Sequence, residues 1–192
     1  MCSRYGIDEK VLPYLNARYC SKFEARLHAG DIHPGDTAPV LIAANGRPCV
    51  MPMTWGMRRR NNGQLVINAR KETLWKKPMF RQSIKYRRCL LPATQFYEWD
   101  ADKHKATFHG QASSILFLAG IYRNDDDGSR FAVITTPAND VMRPVHDRMP
   151  VLVPENFVMD WLRHEDRAKA ILDAANVAIC RDESVQQICL WE

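Results

Sequence analysis

Cys2 stands directly behind Met1, with Arg4 two residues further on. A small second residue permits aminopeptidase removal of Met1, which would leave Cys2 with a free α-amine and a thiol on adjacent carbons. The amine titrates near ~8 and the thiol near ~8.5, so both nucleophiles are partly available at neutral pH. A 1,2-aminothiol condenses with an aldehyde in two steps. The amine forms a Schiff base, and the sulfur then closes on the imine carbon to give a five-membered thiazolidine. An internal cysteine, its amine spent in a peptide bond, cannot do this. The alternative is a chain end that frays into solvent.

Three further clusters offer complementary chemistry. "INAR" ends a strand-like run with Asn68, an amide that both donates and accepts, followed by Arg70, a natural phosphate fork. Strand alternation puts residues 68 and 70 on one face; a turn Asn and a surface Arg would look the same. "FYEW" sets Glu98 among Phe96, Tyr97 and Trp99. A carboxylate in apolar surroundings has a raised pKa suited to proton transfer, unless its head reaches water. "VHDRMP" carries His146 beside Asp147 and Arg148, either a proton shuttle or a structural histidine.

The elements that must position these residues follow from pattern. Asp8–Leu27 reads as a helix capped by Asp8 and broken or kinked at Pro13. "APVLIAANGRPCVMPMTWGM" predicts a hairpin turning at Asn45-Gly46. "GQLVINAR" is a further strand, and "KETLWKKPMFRQSIKYRR" short helices separated at Pro78. "RCLLPATQFYEW", "KATFH", "SSILFLAGIY" and "RFAVITTPA" are strands in quick succession, and "ENFVMDWLRHEDRAKAILDAA" two amphipathic helices. This predicts an α+β fold, its curled antiparallel sheets forming a barrel-like core flanked by short helices, in one domain over residues 1–192. No glycine-rich strand-to-helix turn supports a dinucleotide fold.

The chain has 192 residues and a net charge of +5, and 46% of it is apolar. Arg58 to Arg88 contain eleven Lys/Arg and one acid, Glu72, so this sixth of the chain is +10 and the remainder −5. With Trp75, Phe80 and Tyr86 interspersed, the segment fits a surface facing nucleic acid as well as a solvated basic face. No membrane span or signal peptide is visible, which predicts a cytoplasmic protein. The six cysteines (2, 20, 49, 89, 180, 189) contain no C-x-x-C pair and the histidines no H-x₃₋₅-H spacing. Reduced thiols, mostly in the core, and no metal site or other cofactor are expected.

"MCSR", "NARKET", "FYEW" and "HDRMP", in this order and spacing, resemble the SOS-response-associated peptidase family, from residue 2 to about residue 153. The resemblance implies a sensor of abasic sites in single-stranded DNA that links covalently to the ring-opened sugar. It assigns Cys2 as the crosslinking residue, Asn68 as the active-site amide, Glu98 as the catalytic carboxylate and His146 as the catalytic histidine. Arg4, Arg70 and Arg148 match phosphate-contacting arginines, and Trp55 and Trp99 match aromatics bordering the DNA pocket. The family's name reflects self-cleavage that frees Cys2 in members with longer leaders; with Met1 alone before Cys2, aminopeptidase would suffice. Ser3 replaces the usual Gly, "GDIHPGDTAP" leaves Pro34 and Pro39 both open as the pocket proline, and few residues follow "HDRMP". The implied partner is single-stranded DNA bearing an abasic site, bound by a monomer that is nucleoid-associated if bacterial. Two rival functions are a cysteine hydrolase acting in trans through Cys2 and His146, and a non-covalent single-strand binder.

Overall fold

The hairpin turn sits where the sequence puts it: Asn45 and Gly46 both adopt positive φ, 50° and 72°, the geometry that lets a two-residue turn follow strand twist. The computed structural model describes residues 2–19, 29–59, 61–174 and 177–182. In chain order the strands are β1 (Arg4–Ile7), β2 (Gly30–Ile32), β3 (Thr37–Ala44), β4 (Arg47–Trp55), β5 (Met57–Arg58), β6 (Leu65–Val66) and β7 (Asn68–Arg70). There follow β8 (Arg88–Ala93), β9 (Gln95–Trp99), β10 (Lys105–Gly110), β11 (Leu116–Asp125), β12 (Gly128–Pro137), β13 (Arg148–Pro150) and β14 (Ile179–Arg181). The helices are α1 (Val11–Tyr19), α2 (Pro78–Tyr86), α3 (Val158–Arg163) and α4 (Glu165–Ala174).

Strands β11, β8, β3, β4 and β12 pair in that order, and β12 pairs back onto β11, so the sheet closes into a barrel. All its pairings are antiparallel except β4–β12. The closed sheet is therefore mixed rather than purely antiparallel. β13 and β7 extend the barrel from β12. A second, antiparallel sheet runs β14-β10-β9-β1-β2. The α+β expectation, with a barrel-like core and short helices, holds.

Pro13 neither breaks nor kinks α1. It occupies the third helical position, where a main-chain N–H has no intrahelical acceptor to lose. The Asp8 carboxylate does accept the Lys10 N–H at 2.8 Å. The predicted continuation of this helix to Leu27, and Cys20, Arg60 and Cys189, lie outside the described residues. "GQLVINAR" is two short strands that meet different neighbours: β6 pairs with β5, and β7 with β12.

Every residue of β8 is buried, because α2 and α3 cover its outer side. Arg88 makes that covering specific. Its guanidinium donates to Trp161 O (2.6 Å), Ile84 O (2.9 Å) and Lys85 O (2.6 Å), tying both helices' carbonyls to the barrel. Arg88 therefore belongs to the interior, not to a basic face. Among the described residues no helix is long and apolar enough to cross a membrane.

Trp55 fills the core. It is fully buried, stacked on Phe131 (6.0 Å, 12°) and tilted against Tyr5 (5.3 Å), and its indole N–H donates to Ile67 O at 3.0 Å. The expectation that Trp55 borders a DNA pocket is thus corrected, since it has no surface to offer. Trp55→Ala should cost about 3–5 kcal/mol of unfolding free energy by denaturant titration. Any loss of DNA binding in that variant should follow its unfolded fraction.

Candidate functional site

β1 lies antiparallel to β9 with Arg4 opposite Tyr97 and Gly6 opposite Gln95. Gly6 makes the close approach possible, since a Cβ there would sit 2.9 Å from Gln95 Cγ and 3.1 Å from the Tyr97 hydroxyl. Two residues upstream of Arg4, this register carries Cys2 to the end of β9 that holds Glu98 and Trp99. Cys2 is fully buried. Its thiol, 3.9 Å from Arg4 O, is pushed up to about 12, first by burial and then by the negative charge of Glu98.

Asn68 reaches Cys2 from the other sheet. β7 runs parallel to β12 with Asn68 opposite Val133, and from there the Asn68 Nδ2 donates to Cys2 O at 2.8 Å. Its Oδ1 is buried and has no hydrogen-bond partner among the described residues. An orphaned acceptor at this position costs free energy unless a donor arrives.

Glu98 is 3% exposed. Burial raises its carboxyl above the ordinary carboxylate range, and the charge of His146 is among the influences opposing that rise. His146 precedes β13. Its ring Nδ1 accepts the Arg148 N–H at 2.9 Å and lies 2.8 Å from Asp147 Oδ1. A main-chain N–H can only donate, so this bond is made while Nδ1 carries no proton. With a proton on Nδ1, whether the ring is neutral or charged, the same atom donates to Asp147 instead. Cys2, Asn68, Glu98 and His146, 144 residues apart at the extremes of the set, therefore come together, Cys2 and Glu98 buried and Asn68 and His146 half-buried.

The arginines divide. Arg4 is half-buried, 5.3 Å from the centre of the Trp99 ring and 5.9 Å from that of Tyr97, and paired with Asp31 at 3.3 Å. Arg70 is exposed at the end of β7. Arg148 is committed: it forks onto Glu72 (2.7 and 3.1 Å) and donates to Thr135 O at 2.7 Å, with 11% of its side chain exposed. Trp99 is half-buried beneath Arg4. Pro39 is buried within β3, opposite Pro52, whereas Pro34 is exposed in the turn after β2. Pro34 is thus the proline with surface to offer.

An open groove of about 1020 Å³ begins at Asn68 and Arg70 and runs past Lys77, Arg87, Arg58, Arg59 and Arg123. At its far end the β11–β12 hairpin tip brings acids against these arginines. Asp127 meets Arg58 at 3.2 Å and Arg130 at 2.7 Å, and Asp125 meets Arg123 at 2.5 Å. The Arg130 bond and charge hold the Asp127 carboxyl down at about 2.

Sequence reasoning missed Asp31, Tyr97 and Glu72 as partners of the site arginines. Only Glu72 left a signal, as the one acid in a +10 segment. Asp100, Asp102 and His104 are the one cluster among the described residues able to offer three metal-ligand atoms. The Asp100 carboxylate is already accepting the N–H groups of Asp102 (3.0 Å) and His104 (2.9 Å) in its own turn.

The family model described as SOS response associated peptidase (SRAP) matches residues 1–188, and the chain belongs to that family. It is 30% identical over 182 residues to the abasic site processing protein YobE of Bacillus subtilis, covering 84% of this chain and 82% of that protein. It is 29% identical over 182 residues to the abasic site processing protein YoqW of the same organism, covering 84% and 80%. Among solved structures, a phage-related protein from Bordetella bronchiseptica superposes with a TM-score of 0.77 at 27% identity, covering 94% of this chain and 92% of that one.

A buried carboxyl with a raised pKa opposes folding once pH is high enough to ionise it. The cost begins as the unfolded chain's glutamate ionises and is complete above the folded-state pKa. Glu98→Gln should therefore raise the thermal midpoint by a few degrees at pH 7. The gain should vanish below about pH 4, where both states are protonated. Calorimetry across this range checks it.

Proposed function

Membership of the SOS response associated peptidase family is the premise from which we propose that this protein captures abasic sites in single-stranded DNA as a thiazolidine on Cys2. The observation that carries the reading is the convergence of Asn68, Glu98 and His146, from three separate segments, on a buried Cys2. The amine must be free, so Met1 must first be removed.

The abasic sugar is mostly a closed hemiacetal. The His146 imidazolium, its Nδ1–H hydrogen-bonded to Asp147, delivers the Nε2 proton to the ring oxygen and is left neutral with its proton on Nδ1, while the ionised Glu98 accepts the proton of the C1′ hydroxyl. The C1′–ring-oxygen bond breaks and the aldehyde appears. The Cys2 amine, held against the orphaned Asn68 Oδ1, then bonds to C1′. Glu98 returns one proton to the departing oxygen and the amine nitrogen supplies the second, water leaves, and a protonated imine remains. The sulfur adds to the imine carbon, its proton passes to Glu98, and the nitrogen ends as a ring amine. One water is lost, and no oxidant or reductant is needed.

A thiol held at about 12 argues against the rival reading of a cysteine hydrolase. Such an enzyme attacks with a thiolate, and this sulfur is protonated at neutral pH. In the thiazolidine route the amine attacks first and the sulfur needs only to close on an adjacent, activated carbon. The basic groove leading away from Asn68 and Arg70 supports a strand track on one side of the lesion.

Incubation with single-stranded DNA carrying one abasic site should give an adduct stable to heat and detergent, seen by denaturing gel and mass spectrometry. Cys2→Ala should give none of comparable stability, nor should protein whose Cys2 amine is blocked by an uncleavable residue. A Cys2→Ala adduct as stable as the wild type's would refute the thiazolidine. Arg70→Ala should weaken binding to intact and lesioned strands alike and reduce the salt slope by about 1.

A further inference from the structure

We infer that Glu72 is a positioning residue for this reaction, holding the His146 ring in its working orientation through Arg148. The inference rests on the proposed capture chemistry for its functional readout and on geometry alone for its structural one.

Glu72 lies in the short 3₁₀ turn Lys71–Thr73 that follows β7. Its two oxygens accept from both terminal nitrogens of Arg148, at 2.7 and 3.1 Å. One of those nitrogens also donates to Thr135 O (2.7 Å) and lies 3.3 Å from Thr135 Oγ1. A planar fork fixed at these points leaves Arg148 little freedom. β13 is only three residues long and its Arg148 lies opposite Pro137, which has no N–H to give, so the fork adds a hold at the strand's first residue.

The consequence falls on His146, two residues back, whose ring Nδ1 is set between the Arg148 N–H at 2.9 Å and Asp147 Oδ1 at 2.8 Å, which fixes where Nε2 points. A loose Arg148 would let Nδ1 turn to other partners and misplace Nε2. The same carboxylate tethers the segment that supplies Asn68, four residues before it. Glu72 and Arg148 thus lock the β7 and β13 ends of the site together. A phosphate-contacting Arg148 would instead have to give up this fork.

The test compares wild type, Glu72→Gln and the conservative Glu72→Asp in the full chain. Glu72→Gln should slow adduct formation with abasic single-stranded DNA roughly tenfold or more, as misplaced groups do. Its affinity for the intact strand should be unchanged, and Glu72→Asp should recover part of the rate. Without any DNA, nitrogen NMR of the His146 imidazole should show shifted and broadened ring-nitrogen signals in Glu72→Gln, as Nδ1 loses its fixed partners. This arm reports on the positioning role even if wild type forms no adduct, in which case the capture reading fails by itself. Unchanged imidazole shifts in Glu72→Gln would overturn the inference. So would a wild-type rate accompanied by tighter strand binding, which would mean that Glu72 merely withholds Arg148 from phosphate.

Discussion

Cys2 is buried two residues ahead of the first strand, and the antiparallel register of β1 on β9 keeps it there. Shifting that register by one residue would exchange inward and outward faces along β1 and remove Cys2 from Glu98. Gly6 is the small part on which the register turns, because no side chain fits between β1 and Gln95. The Asn68 bond to Cys2 O then closes the site from the barrel side. One strand pair and one amide thus join the two sheets at the point where the chemistry is proposed.

Around this centre, positive charge is allotted to separate tasks. Arg88 is interior, tying helices to the barrel. Arg148 is consumed by Glu72, and Arg4 is shared between Asp31 and the Trp99 face. Arg70 and the groove arginines remain at the surface. The high formal charge between Arg58 and Arg88 is therefore a mixture of structure and interface. Net charge per segment overstates what a polyanion would meet.

How much could be read from the sequence depended on how local each signal was. The Asn45-Gly46 turn, the barrel strands and the two C-terminal helices follow from neighbouring residues, and the structure has them. The grouping of Cys2, Asn68, Glu98 and His146 was legible only because the four motifs together resemble a known family, since each residue taken singly has an ordinary structural reading. Trp55 and Trp99 are not separable in this way. Both sit at strand ends, and only the stacking of Trp55 between Tyr5 and Phe131, residues 50 and 76 positions away, shows that it faces inward. The fork of Arg148 on Glu72 likewise spans 76 residues and leaves no pattern at short range. Pro13 was misread because a proline in the first turn and one in mid-helix look alike until the helix start is known.

The burial of the Cys2 sulfur has a chemical corollary. Peroxides and soft alkylating agents attack thiolates at accessible surfaces, and this sulfur is neither ionised at neutral pH nor exposed. The fold thereby shelters Cys2, whereas Cys49 and Cys180 are only half-buried. In the proposed capture reaction this spares the nucleophile from reagents that attack exposed thiolates.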